Sequence, residues 1–179
     1  MNITATQVIL LGAILGPIEF AIIAYFTRAN WRRIGVAVIA GLAYGLLNKG
    51  WDMLALVAGW WRYPFTPTGA APLLFYGPVA LAYGGGFGLI GWRAVRKWGT
   101  RGLIGFLVAW AIYGVIHDFA GTAATSQSNL IAWGPGLAPV IADFFTYGTC
   151  GAAAQLVQRL VAGPANADAL ARTKPSAAP

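Results

Sequence analysis

Acid is scarce in this chain. Only five of its 179 residues are Asp or Glu, and charged residues of both signs make up 9%, against about 25% in ordinary soluble domains. Cysteine is scarcer still: Cys150 stands alone, which excludes an internal disulfide and a thiolate metal cluster. Histidine also occurs once, as His117. Zinc usually wants more nitrogen or sulfur ligands than that, and one histidine with scattered carboxylates suits at best an oxygen-rich, Mg²⁺-like site. No metal and no cofactor is therefore expected. The twelve Lys and Arg residues give a net charge of +7, but no basic face carries interleaved aromatics, so nucleic acid is not an expected partner.

What fills the chain instead is apolar: 58% hydrophobic residues, 24 glycines and 8 tryptophans, with a mean hydropathy of +0.65. The pattern predicts an all-α, polytopic membrane bundle of about five transmembrane helices over residues 1–162. The spans are expected at 5–27, 34–61, 70–92, 102–119 and 137–162, with 163–179 a disordered cytoplasmic tail too poor in apolar mass to fold alone. No basic stretch precedes the first span, so a cleaved signal peptide is not expected. The second span is too long for a perpendicular helix and must tilt, break at Gly50 or emerge early. Whether residues 62–70 and 120–136 re-enter the membrane stays open.

Base distribution gives the orientation. Arg28, Arg32, Arg33, Arg93, Arg96, Lys97, Arg101, Arg159, Arg172 and Lys174 fall on one side, ten of the twelve bases. The positive-inside rule then places the N-terminus outside and the C-terminus in the cytoplasm of a bacterial-type inner membrane.

Within such spans the acids are conspicuous. Glu19, Asp52, Asp118 and Asp143 lie inside or at the edge of apolar stretches, where an unrelieved acid at a helix centre costs about 2.5–3.5 kcal/mol. Threaded through alternating spans, they converge on the outer half of the bundle together with His117 and Lys49. Gly12, Gly16 and Glu19 share one helical stripe; Gly41, Gly45, Lys49 and Asp52 share another. Small residues at that spacing let membrane helices approach closely, which turns both acids toward protein. A third such pair is Gly84 and Gly88. Ionisable groups inside a membrane carry a functional hypothesis by default. The structural alternative is that each acid is protonated or paired as interhelical glue, with Lys49 on Asp52 and Arg62 on Asp118. Trp110 sits mid-span, unlike the interfacial tryptophans, and with Tyr113, Tyr76, Tyr83 and Tyr147 it either packs the core or lines an aromatic cavity.

Asp52, followed by Gly59-Trp60-Trp61-Arg62-Tyr63, has the form D-x6-G-x-W-x-Y, and Ala71-Pro72-Leu73-Leu74-Phe75-Tyr76 comes after a short turn. This stretch of roughly 25 residues resembles the small membrane carotenoid cyclases of the lycopene-cyclase type. There an aspartate-and-tryptophan segment precedes a proline-led helix with a pair of acids; this chain has Leu73-Leu74 where the family has glutamates. The resemblance implies a prenyl-lipid ligand. The expected function is thus handling of a hydrophobic isoprenoid-like or lipid molecule in an outward-facing polar and aromatic pocket. As an enzyme it would be a cyclase or isomerase. Protonated carboxylic acids would start the reaction: Asp52 and Asp118 first, Glu19 and Asp143 next, His117 as proton partner. Trp110, Tyr113, Tyr76, Tyr147, Lys49 and Arg62 would bind substrate. Two rivals stay open: a non-enzymatic accessory or assembly subunit of a membrane complex, and a small proton-coupled transporter. The partners would be membrane lipid or a hydrophobic small molecule, with homo-oligomer or complex subunit as the assembled forms.

Overall fold

The computed structural model describes residues 4–124 and 130–171. Three helices in it are long and apolar enough to span a membrane: Ala5–Thr27, Trp31–Ala58 and the long run from Leu73 to Ala123. The first is α1 (Ala5–Thr27), started by a capping box in which Thr4 and Gln7 satisfy each other's backbone amides. Arg28 turns the chain in the left-handed region. Asn30 then caps α2 (Trp31–Ala58) by accepting from the Arg33 amide, so the helix begins three residues before the apolar run expected to open it. It passes unbroken through Gly50 and ends at Gly59, which takes a positive φ. Of the three alternatives, a break at Gly50 is absent, because a lone glycine weakens a helix without ending it.

A return segment, β1 (Trp61–Arg62), pairs antiparallel with β2 (Ala132–Trp133), Trp61 facing Trp133. Between them run α3 (Leu73–Pro78), a π-helical segment (Val79–Phe87) and α4 (Gly88–Ala124). α4 is not one rod. Gly99 has φ 58° and ψ −139°, a conformation no helix contains, and the chain folds back on itself there. A Cβ on Gly102 would strike Ala94, and one on Gly91 would meet Phe106. Phe87 packs on Trp110 with ring centroids 4.3 Å apart, and Tyr83 reaches His117. Each pair lies farther from Gly99 in both directions, the signature of an antiparallel helical hairpin. Its arms run beyond the stretches expected at 70–92 and 102–119. Helix α5 (Ala138–Ala162) completes the bundle.

α2 packs against the π segment and α5, α5 against α4, and α1 against α3 and the π segment. Glycine makes the α2 approach possible: a Cβ on Gly84 would lie 2.7 Å from the Gly41 Cα, so the two backbones touch where any larger residue would part them. α1 contributes little burial, with Leu10, Ile14, Ile18 and Ile22 at least half exposed. That outward face suits lipid.

At the end where α1 meets α2 the structure departs from expectation. Residues 163–171 belong to the stretch expected to be a disordered tail. Instead Asp168 is 6% exposed and Arg33 1%, and the two form a buried ion pair with N···O 2.5 Å. Arg33 also donates to the carbonyls of Gln158, Ala162 and Gly163. Arg96 donates to Ala165 and Asp168 carbonyls, and Trp92 to Ala165. Farther along, the Ala171 amide donates to Arg28 and Asn30 to Ala169. Polar groups of the α1–α2 turn, α2 and α4 thus hold the strap, whose Ala165 and Leu170 also pack on the core. Residues 172–179, with Arg172 and Lys174, lie outside the described residues, as do 125–129 of the segment 120–136.

Candidate functional site

At the opposite end, four acids and the single histidine surround one hollow. Asp52 sits in the last two turns of α2. Gly59 reverses the chain, and the return segment brings Trp61 and Tyr63 back over it. The Asp52 Oδ1 accepts from the Trp61 indole at 2.8 Å and the Tyr63 hydroxyl at 3.1 Å. Its Oδ2 accepts from the Tyr76 hydroxyl of α3 at 2.7 Å. All four side chains are buried. The D-x6-G-x-W-x-Y pattern is therefore a local device: aspartate, reversing glycine, and the two donors that return to it. Burial first, and then the charge of Asp52, push the Tyr63 phenol well above its ordinary value, so it stays a donor.

Across the hollow, His117 and Asp118 lie on the second arm of α4. His117 Nδ1 is 2.8 Å from Asp118 Oδ1, and its Nε2 is 3.1 Å from the Tyr83 hydroxyl. Tyr147 of α5 donates to the same Asp118 oxygen at 3.0 Å. With Asp118 as a carboxylate, which only accepts, and His117 as a neutral ring, Nδ1 donates to Asp118 and Nε2 accepts from Tyr83. The result is a hydrogen-bonded row: Tyr83, His117, Asp118, Tyr147. The π segment carries Tyr83 into it; π turns inside helices often mark functional positions.

Asp143 completes the ring from α5. It is 3% exposed, and its Oδ2 has no hydrogen-bond partner. Neighbouring Thr146 turns its hydroxyl onto the Ala142 carbonyl instead. Glu19 reaches the hollow from α1 and is half-buried. The cavity measures about 330 Å³ and is lined by Glu19, Asp52, His117, Asp118, Asp143 and Tyr147, with apolar walls from α1. Among the described residues no three of these groups are disposed to hold a metal ion.

Other sequence candidates lie elsewhere. Tyr76 stands behind Asp52, outside the lining. Trp110 is 3% exposed in the aromatic core with Tyr44 and Tyr147, beneath the hollow, and Tyr113 stacks on Phe87 and Trp110. Neither Trp110 nor Tyr113 is in the lining. Lys49 faces a separate groove with Leu42 and Leu81, and Arg62 is exposed. Neither makes an ion pair; among the described residues the pairs are Arg32 and Arg33 with Asp168, and His117 with Asp118. The expected Lys49–Asp52 and Arg62–Asp118 pairs do not form: Lys49 lies along a different groove, Asp52 takes Trp61, Tyr63 and Tyr76 as donors, and Asp118 is bonded to His117 and Tyr147.

Sequence reasoning did not single out Tyr44, Asn48, Tyr63 and Thr146, all of which line the cavity. The stripe of Gly41, Gly45 and Asp52 contains Tyr44 and Asn48 at helical spacing, so the signal was present for those two. Tyr63 depended on a loop path.

Comparison with protein-family models, curated proteins and solved structures finds no match.

Proposed function

We propose that the chain crosses a bacterial-type inner membrane five times, N-terminus outside, and that the hollow opens outward to take a short isoprenoid-like lipid. Five helical rods and ten bases assigned to one side support that topology. One observation carries the functional reading: four acids and a histidine ring a polar and aromatic hollow whose lining contains no lysine or arginine. At about 330 Å³ it falls at the small end of the roughly 300–1,000 Å³ usual for small-molecule sites, which suits a short prenyl chain and not a full carotenoid. Leu73 and Leu74, where the cyclases carry glutamates, are 74% and 53% exposed and take no part.

The chemistry is proton exchange. Asp143, with an oxygen free of partners, serves as the acid. Its carboxyl proton passes to one carbon of a double bond, leaving a cation at the neighbouring carbon that the faces of Tyr83 and Trp61 stabilise. Loss of a proton from an adjacent carbon to the His117–Asp118 pair restores a double bond in a shifted or cyclised product. The proton then returns to Asp143 through the hollow, so the net reaction is an isomerisation. Asp52, saturated by three donors, positions the return segment. The packed rings of Trp110, Phe87 and Tyr147 lie beneath the hollow, which favours binding over conduction.

The test is mass spectrometry of molecules retained after mild detergent extraction. Wild type should retain an isoprenoid, and Asp143→Asn should retain its unconverted form. No retained isoprenoid in either protein, with no stabilisation by added short prenyl alcohols, overturns the reading.

A further inference from the structure

The basic end holds a second and larger cavity, of about 620 Å³, between the two arms of α4, the inner half of α5 and the strap. Its lining contains Arg33, Arg96 and Arg159 and, among the described residues, no carboxylate. Asp168 neutralises Arg33 from behind, which leaves about two positive charges facing the space. Arg96 is directed by the strap carbonyls of Ala165 and Asp168, while Arg159 forms no ion pair among the described residues. Gln158 also borders this cavity, but its amide is buried away from it, the nitrogen turned toward Gly88 of α4. Leu103, Leu107 and Leu156 form an apolar wall beside these groups.

From this geometry we infer that the cavity binds a phosphate ester, with Arg159 and Arg96 on the phosphate oxygens and the apolar wall against an acyl or prenyl chain. Guanidinium forks match phosphate in shape and charge, and Thr100 adds a hydroxyl at the same rim. The wall favours a lipid phosphate of the surrounding leaflet over a free one. This site is separate from the hollow of the acids and stands without it.

The test measures thermal stability of the full chain in phosphatidylcholine nanodiscs, with phosphatidylglycerol added to the bilayer or inorganic phosphate to the buffer. Arg159→Gln should weaken the stabilising effect about tenfold in concentration, the value of one charge-assisted contact. Arg101→Gln, at the start of the second α4 arm and outside the lining, should leave it unchanged. Stabilisation by phosphatidylglycerol alone identifies a lipid headgroup; stabilisation by inorganic phosphate as well identifies the phosphate group itself, and either supports the site. Stabilisation by neither overturns it. So does an Arg101→Gln loss equal to that of Arg159→Gln, which would mark diffuse surface attraction.

Discussion

Asp168 and Asp52 are buried carboxylates near opposite ends of one bundle, and they are held by opposite means. Asp168 is gripped by a guanidinium whose other nitrogens are taken by carbonyls; Asp52 is held by an indole and two phenols with no base in contact. The partners differ in sequence distance too. Arg33 is 135 residues from Asp168, whereas Trp61, Tyr63 and Tyr76 follow Asp52 by 9, 11 and 24. Ion pairing closes the basic end by cancelling charge. Neutral donors at the other end leave the acids' charge, or their protons, available to whatever enters. The second arrangement is what a chemical site requires, and the first is what a clasp requires.

Breaking the clasp should have the largest effect. Arg33→Met leaves Asp168 buried without its partner and should cost about 3–5 kcal/mol, as for other severed buried pairs. Detergent-titrated unfolding of the purified protein would read it. Adding Asp168→Leu should recover most of that loss, because replacing both partners by apolar groups removes the stranded charge. At the other end Asp52→Ala strands three donors and should cost about 2–3 kcal/mol, while Asp52→Asn keeps an acceptor and should cost less. A smaller loss still, about 1–2 kcal/mol from overpacking, is expected for Gly114→Ala. There the added methyl would press into the Tyr147 ring; the hydroxyl should leave Asp118, seen as a changed tyrosine resonance Raman band.

Legibility followed the same divide. Helical stripes tied to small residues turned Glu19 and Asp52 inward from the sequence alone, because position along a helix fixes the face and glycine marks the face that packs. Depth followed from alternating spans, and the structure brings both acids to one hollow with Asp118 and Asp143. What the stripe could not tell was the partner. Lys49 stands three residues from Asp52, yet a rotation of about 60° on the helix sends it to a different groove. The two donors on Oδ1 come from a loop whose course no periodicity encodes. Most opaque was the strap: nothing local joins Asp168 to Arg33, and a polar, alanine-rich segment reads as disorder unless its carbonyls are known to meet arginines. Nor did composition announce the π-helical stretch, although Gly84-Gly85-Gly86 within it shows where a widened turn meets least resistance.

The smallest expected stability effect discriminates most between the two ends. Asp143 has a buried oxygen that no protein group satisfies, so Asp143→Asn breaks no bond to that oxygen and conserves shape. Stability should change by no more than about 0.5 kcal/mol, the range of substitutions away from any special feature. Such a near-neutral substitution at a 3% exposed position is informative because burial ordinarily predicts damage. If Asp143 were glue between helices, like Asp168, its amide would lose an interaction and unfold earlier in detergent titration. If it faces a ligand, the empty protein should be indifferent and the difference should emerge only with the ligand present, as a lost stabilisation by short prenyl alcohols. A variant that is equally stable alone and unresponsive to ligand would place Asp143 on the side of chemistry. One that is unstable in both conditions would place it with the clasp.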